Sequence, residues 1–111
     1  MILEIAQADI RPGEEAALRE AIEKSIPVFV KEKGCVAIRF YQSIETPNRI
    51  RVLVWWKTFE AHVEDFVGSP DYAYFLGLFA PLLEGEPLLE HHVLLGEHGS
   101  IDEGASLALV N

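Results

Sequence analysis

The sequence predicts an α+β fold, and three observations carry this prediction. Several segments alternate apolar and polar residues, as strands do when successive side chains point to opposite faces of a sheet. Between them lie stretches whose apolar residues recur every three or four positions, as on one face of a helix. Clusters of Gly, Pro and Asn separate the segments. The 111 residues, half of them apolar, are enough for one domain with its own core.

The first two elements are a strand and a long helix. The strand is expected from Ile2 to Ile10, a segment rich in branched aliphatic side chains that ends at the turn over residues 11–13. Glu14 and Glu15 then open the helix, because acidic side chains favour its positive N-terminal end. Pro27 removes one backbone hydrogen bond and is expected to kink the helix or to end its first half. The predicted apolar stripe consists of Leu18, Ala21, Ile22, Ile26 and Phe29.

A β-hairpin and a short helix follow. The hairpin strands are expected from Val36 to Ser43 and from Ile50 to Trp56, with the turn at residues 45–48. Thr58 is a suitable N-cap, since its hydroxyl can accept a hydrogen bond from the first helical turn. The short helix is expected from Phe59 to about Val67.

One more helix and a last strand complete the pattern. Ser69 caps this helix, and Pro70 takes its first position, where a missing N–H costs no hydrogen bond. The fourth strand is expected from Leu88 to Leu95, after a break at residues 85–87. The order β-α-β-β-α-α-β predicts a ferredoxin-like antiparallel sheet with helices on one face. Apolar residues on the other face need cover, and a second copy would supply it by forming a dimeric α+β barrel.

Composition and charge exclude several classes of partner. The net charge of −9 argues against nucleic acid and against anionic membranes, because both attract cationic patches. No run of about 18 apolar residues predicts a membrane span, and the start of the chain, with Glu4, lacks the basic residues of a signal peptide. Cys35 is the only cysteine, so no intrachain disulfide is possible. A cytoplasmic location is therefore expected.

Several short motifs occur in a fixed order along the chain. The arrangement of a Trp, an Ala-His pair and a Ser before the next helix is present as Trp56, Ala61-His62 and Ser69. Together with the other motifs it resembles the antibiotic biosynthesis monooxygenase family over roughly residues 2–95, which defines the expected domain as 1–95. Residues 96–111 form a C-terminal extension, expected to dock on the partner subunit, with disorder as the alternative. The other motifs are Arg11-Pro12-Gly13-Glu14, Pro27, Gly34-Cys35, Asn48-Arg49, Tyr72 and Pro81-Leu82-Leu83.

The resemblance implies a homodimer, a pocket between sheet and helices in each subunit, and oxygen chemistry that often needs no bound cofactor. Related haem-degrading proteins carry an Asn on the first strand, a Trp on the short helix and an iron-ligating His on the next helix. Those places hold Ala6, Phe66 and Leu76 here, so haem is not expected. His91 and His92 are adjacent on a strand and diverge, so no metal site is expected from them. No bound cofactor is expected.

His62 is the candidate catalytic base. An imidazole has an ordinary pKa of about 6.5, which suits proton transfer near neutrality. In a helix, Phe59, His62 and Phe66 share one face, so His62 is expected to point toward the sheet. The alternative is a structural histidine that hydrogen-bonds to the backbone or to a partner subunit.

Four aromatic residues are candidates for binding a flat substrate. Trp56 would form a packing wall, with Phe66 and Phe75 beside it, and Tyr72 would offer its hydroxyl to a quinone oxygen. The alternative is that these rings simply fill the core. The hypothesis is a cofactor-independent monooxygenase that uses O₂ on a small aromatic, phenolic or quinol substrate. The rival hypothesis is a non-catalytic, dimeric binding module of the same fold. A purely structural dimer is the third, favoured if Trp56, Phe66 and Phe79 themselves fill the pocket.

Overall fold

The computed structural model of the chain describes residues 1–101, so most of the extension predicted to dock, residues 96–111, lies outside the described part. The predicted order of elements is confirmed, with the short helix replaced by a π-helical turn and a brief 3₁₀ turn added before the last strand. The elements are β1 (Ile2–Ile10), α1 (Glu15–Lys31), β2 (Cys35–Gln42), β3 (Arg49–Trp56), the π-helical turn (Ala61–Phe66), α2 (Pro70–Phe79), the 3₁₀ turn (Ala80–Leu82) and β4 (Leu83–His92).

The four strands form one antiparallel sheet in the order β2-β3-β1-β4, which confirms the ferredoxin-like α+β prediction. β1 lies in the interior and pairs with β3 on one side and β4 on the other. The helices cover one face of this sheet, here called the helix face, and the opposite side is called the open face. Trp56 is buried on the helix face, whereas the adjacent Trp55 lies on the open face with the Arg39 guanidinium 5.5 Å from its ring. The predicted split of the two tryptophans is thus confirmed.

The core on the helix face has two parts. One lies near the start of β1 and the end of β3, and half of its residues are aromatic. The other lies at the opposite end of the same strands and is aliphatic. The first consists of Val28, Phe29, Val54, Trp56, Ala61 and Phe66, and the second of Ile10, Ala21, Ile50 and Leu82.

Helix α1 runs without interruption through Pro27, so the expectation that this proline ends the first half of the helix is wrong. Burial of Val28 and Phe29 directly after the proline stabilises the helix, and the missing N–H removes only one hydrogen bond. The predicted stripe is also wrong at Ile26, whose side chain is 36% exposed, while Ser25 is fully buried. Ser25 is tolerated there because its hydroxyl donates a hydrogen bond to the Ile22 carbonyl at 2.8 Å.

Strand β4 begins and ends earlier than predicted. The expected break at residues 85–87 lies inside the strand, and residues 93–95 are outside it. Gly85 has φ +83°, a conformation that glycine adopts without steric cost, and it allows a bulge. Two steps along β1, from Gln7 to Asp9, span four along β4, from Leu88 to Glu84. The bulge absorbs the extra residues, so the strand continues instead of stopping.

None of the helices in residues 1–101 has both the length and the apolar character that a membrane span requires.

Candidate functional site

A buried polar network lies where the π-helical turn packs on the sheet. It joins Glu4 of β1, Trp56 of β3, His62 of the turn and His91 of β4. The Trp56 indole N–H donates to Glu4 Oε1 at 2.9 Å, and His62 Nε2 lies 3.3 Å from the same oxygen. His62 Nδ1 is 2.7 Å from His91 Nε2. Glu4 is only 7% exposed and His62 only 4%, so the polar groups depend on one another for hydrogen bonds.

Strand register places the sheet members of this network side by side. Glu4 is the cross-strand partner of Val54 on β3 and of His91 on β4, so the two side chains flanking Glu4 share its face. Trp56 lies two residues beyond Val54 and therefore projects to the same face. The network consequently follows from β1 lying between β3 and β4.

The π-helical turn brings His62 onto the sheet, as predicted for the short helix. Its wide hydrogen-bond spacing is visible in the bond from the Val67 N–H to the His62 carbonyl at 2.9 Å. The predicted cap is present, since Thr58 Oγ1 accepts from the Ala61 N–H at 3.1 Å. The turn also lies tightly against Gly34, where an added Cβ would overlap the side chain of Ala61. Glycine at this position lets the turn approach the start of β2.

Ring stacking fixes the orientation of the His62 imidazole. Its ring lies nearly parallel to that of Trp56, with centroids 5.0 Å apart and an angle of 18°. Trp56 is in turn packed against Phe66, and both are fully buried. On the other side of the network, the edge of Phe59 meets His91 with centroids 4.9 Å apart. His91 and Phe59 are the members nearer to solvent, so the network opens on that side.

Burial shifts both titrating groups toward their neutral forms. Desolvation, followed by the effect of His91, lowers the pKa of His62 to about 4, so His62 is uncharged at neutral pH. Desolvation raises the pKa of Glu4, and the hydrogen bond from Trp56 opposes that rise. Because its pKa is raised, the Glu4 carboxylate can accept a proton that moves along the network.

Two proton arrangements satisfy the network. With Glu4 ionised, His62 Nε2–H donates to Glu4 and His62 Nδ1 accepts from His91 Nε2–H. With Glu4 protonated, the carboxyl group donates to His62 Nε2 and His62 Nδ1–H donates to His91 Nε2. When His91 takes up a proton, its Nε2 proton can move to His62 Nδ1, and the His62 Nε2 proton can move to Glu4. This converts the first arrangement into the second, because each nitrogen of His62 faces a different partner.

The four aromatic site residues predicted beside His62 lie in one cluster with it, at different distances from its ring. Trp56 stacks directly on it, whereas Phe66 lies 6.4 Å away between ring centroids. Tyr72 meets the edge of Phe66, and Phe75 packs on Phe29 and Phe66. These rings fill the space between one another, so their role in lining a pocket stays a prediction.

The sequence reasoning missed two members of the network, Glu4 and His91. The signal for Glu4 was its position in β1, where it shares the face of Ile10 and so places a carboxyl group among core residues. His91 was considered only as a metal ligand together with His92. Its partner could not be identified from the sequence, because the 2.7 Å contact joins residues 29 positions apart.

Within residues 1–101, no three His, Cys, Asp or Glu side chains are placed to hold a metal ion. The network itself illustrates why. Glu4 bonds to one nitrogen of His62 and His91 to the other, so the donor atoms lie on opposite sides of the ring and do not converge on one point.

The family model for antibiotic biosynthesis monooxygenases matches residues 1–77. The chain belongs to the antibiotic biosynthesis monooxygenase family. The family that the sequence motifs resembled is therefore confirmed, and the match includes the π-helical turn with His62.

Proteins from several bacteria are similar to this chain. The Bacillus subtilis (strain 168) protein YczJ, itself uncharacterized, is 29% identical over 91 residues, which cover 82% of this chain and 96% of that protein. A crystal structure from Bordetella bronchiseptica that carries the family name is 30% identical, covers 85% of this chain and 96% of its own, and has a TM-score of 0.80. Rv0793 from Mycobacterium tuberculosis is 23% identical, with coverage of 88% and 98% and a TM-score of 0.74, and shows the shared fold alone.

Proposed function

We propose that this protein is a homodimeric, cofactor-independent monooxygenase that uses O₂ on a small aromatic, phenolic or quinol substrate. The observation that carries the proposal is the 2.7 Å contact between His62 and His91, with Glu4 on the other side of His62. This arrangement can remove a proton from a substrate in a dry environment, which is the main protein contribution that such chemistry requires.

The reaction begins with loss of a substrate proton. The resulting carbanion or phenolate passes one electron to O₂, and the substrate radical and superoxide combine to form a carbon–oxygen bond. The peroxide takes back the proton and loses water, which leaves a carbonyl group. A CH₂ group and O₂ are thereby converted into C=O and H₂O, so atoms and electrons balance without a further reductant.

In this proposal His62 transfers the proton and Glu4 receives it. A histidine with its pKa lowered to about 4 holds a proton poorly at neutral pH, so His62 does not store the charge. Glu4 has a raised pKa and neutralises on protonation, which favours it as the acceptor in a desolvated site. His91 is the member that meets the substrate, because it is the partly exposed end of the network.

Buried aromatic residues hold the network in place, and one exposed ring can meet a substrate. Trp56, backed by Phe66, Tyr72 and Phe75, forms a buried aromatic wall behind the network. Phe59, which is 45% exposed beside His91, offers an accessible ring on which a flat substrate can pack. The wall also excludes water, which strengthens the electrostatic interactions inside the site.

The proposal is tested by oxygen uptake of metal-stripped protein with a panel of hydroquinones and anthrones. His62→Ala is expected to lower turnover at least about a hundredfold, the usual contribution of general acid–base catalysis. His98→Ala is the matched control, since His98 is exposed and lies outside the network. Unchanged turnover in folded His62→Ala protein would remove His62 from the mechanism.

One observation favours a purely structural dimer as a second candidate function. Trp56 is 0% exposed and Phe66 2%, so the space in which a substrate would meet them is occupied by the side chains themselves. A purely structural dimer predicts that no member of the substrate panel consumes oxygen or raises the melting temperature. A binding module predicts a raised melting temperature without oxygen uptake. Catalysed uptake would exclude both.

The homodimer is proposed from the open face of the sheet. Cross-strand pairs place Leu3 beside Trp55 and Ile5 beside Leu53, all on the side that the helices do not cover. A second copy would bury this apolar surface. Light scattering is expected to give about twice the chain mass of 12.4 kDa, and Leu53→Asp is expected to produce monomers. A stable wild-type monomer at micromolar concentration contradicts the proposal.

A further inference from the structure

A groove of about 550 Å³ lies on the helix face, between the first half of α1 and the hairpin end of β2 and β3. It is remote from the Glu4 network. Ile10 of β1 lines the groove, and it lies six residues along the strand from Glu4, or roughly 20 Å. The groove therefore shares no residue with the proposed oxygenase site. Its volume is within the range of small-molecule sites, about 300–1,000 Å³.

The inner surface of the groove is apolar and well supported. Ile10 and Ile50 are almost completely buried, at 4% and 7% exposure. Leu18 and Ile22 of α1 line the opposite side, and Phe40 of β2 stacks on Phe79 with centroids 6.0 Å apart. A ligand with an aliphatic or aromatic body would bury apolar surface here.

The charged residues that line the groove are Arg11, Glu15 and Arg19, which gives the site a local charge of +1 in a chain of net charge −9. Neither arginine forms an ion pair within residues 1–101. Arg11 donates from Nε to the Leu83 carbonyl at 2.9 Å, which leaves its terminal nitrogens available. Two unpaired guanidinium groups beside an apolar surface are a recognition site for a carboxylate with an apolar body.

One backbone and one side-chain hydrogen bond hold the groove in shape. The Ile10 N–H donates to the Asn48 carbonyl at 2.8 Å, and Gln42 Nε2 donates to the Pro47 carbonyl at 2.8 Å. These bonds tie β1 to the hairpin and close the hairpin end. A site that is formed before binding loses less conformational entropy when a ligand arrives.

We propose that this groove binds a small amphipathic monoanion, a carboxylate with an aliphatic or aromatic body. The body lies on Ile10 and Ile50, and the carboxylate is bound by Arg19 together with Arg11. Glu15 on the same rim disfavours a second negative charge, which makes a monocarboxylate the better ligand than a dicarboxylate. Because no oxygenase residue takes part, binding here does not depend on the proposed catalytic activity.

The test is a titration of the full chain with octanoate, octanol and octylammonium, followed by NMR of the isoleucine methyl groups. Octanoate is expected to shift the Ile10 and Ile50 signals and to bind about tenfold more tightly than octanol, with octylammonium weaker still. A charge-assisted hydrogen bond contributes on this order. Equal affinity for octanoate and octanol, or no shift at millimolar octanoate, overturns the proposal.

Variants separate the charge effect from general electrostatics. Arg19→Gln is expected to weaken octanoate about tenfold and to leave octanol unchanged. Lys33→Gln removes one positive charge at an exposed site just beyond the other end of α1, and its octanoate affinity is expected to match wild type. Equal losses of octanoate affinity in both variants would mean that only the net charge of the protein matters. That result would overturn the proposed binding site.

The same spectra also test two other possible occupants of the groove, a second copy of the chain and the C-terminal segment. If Ile10 and Ile50 shift with protein concentration alone, a second copy fills the groove. If they shift on truncation after Ile101, the C-terminal segment fills it. Either result overturns the small-anion proposal. Oxygen uptake is measured on Arg19→Gln in parallel and is expected to equal wild type, so failure of the oxygenase proposal would be seen separately.

Discussion

The two ends of the helix face are built in opposite ways. Near Glu4, both nitrogens of His62 and the Trp56 indole N–H have polar partners, and aromatic rings fill the space around them. Near Ile10, the core is aliphatic, the surface is open as a groove, and two arginines there form no ion pair within the described residues. The closed end is suited to moving a proton without water, and the open end to admitting a ligand. Position along one sheet thus separates the two proposed roles.

The largest expected effect on stability comes from removing a buried ring at the closed end. Trp56→Ala removes a fully buried ring and leaves Glu4 without its indole donor, so the free energy of unfolding is expected to fall by about 3–5 kcal/mol. Urea denaturation measures the change. Tyr74→Ala, at a 50% exposed ring on α2, is the control and is expected to stay within about 0.5 kcal/mol. Equal losses would mean that the closed end is not the tighter part of the core.

The next effect is a pH dependence located at the closed end. The pKa of His62 is lowered to about 4, so its stabilising contribution is complete above the unfolded value of about 6.5 and is lost as pH falls toward 4. Over this window wild type is expected to lose about 3 kcal/mol that His62→Gln does not lose. Glu4 acts in the opposite direction, because its raised pKa favours the folded state as pH falls.

Denaturation curves at several pH values measure this difference. His98→Gln serves as the matched exposed histidine, and its pH profile is expected to follow wild type. A His62→Gln profile parallel to that of wild type would contradict burial of a neutral imidazole.

A smaller loss is expected at the open end. Ile50→Ala removes a buried side chain, but the adjacent groove lets water reach the vacated space, so the expected cost is about 2 kcal/mol, the low end for such truncations. Val54→Ala on the same strand, at the closed end, is the comparison for the same measurement. If Ile50→Ala costs more than Trp56→Ala, the ranking of the two ends is reversed.

The smallest effect concerns the helix cap behind the closed end. Ser69 Oγ donates to the Phe66 carbonyl at 2.6 Å and accepts from the Tyr72 N–H at 3.4 Å. Ser69→Ala is expected to lower the free energy of unfolding by about 1 kcal/mol, since both helix ends lose a partner. Ser100→Ala, at an exposed position outside the helices, is expected to change nothing measurable in the same urea titration.

Local patterns were sufficient for much of the fold. Ser69 and Pro70 start α2 as predicted, because capping depends on residues within one turn. Period-two alternation was sufficient to place Trp55 and Trp56 on opposite faces. The same local rules failed at Pro27 and Gly85, where burial of the following residues and a bulge decided the outcome.

The sequence by itself determined the order of elements, the antibiotic biosynthesis monooxygenase family and the orientation of His62 toward the sheet, because these depend on spacing along the chain. Only the tertiary structure decided that Glu4 and His91 are the partners of His62. Those contacts require β1 to lie between β3 and β4 in one register. They also require the π-helical turn to lie close against Gly34. The pKa of about 4 follows in the same way, because desolvation depends on which side chains surround a group and not on its neighbours in the sequence.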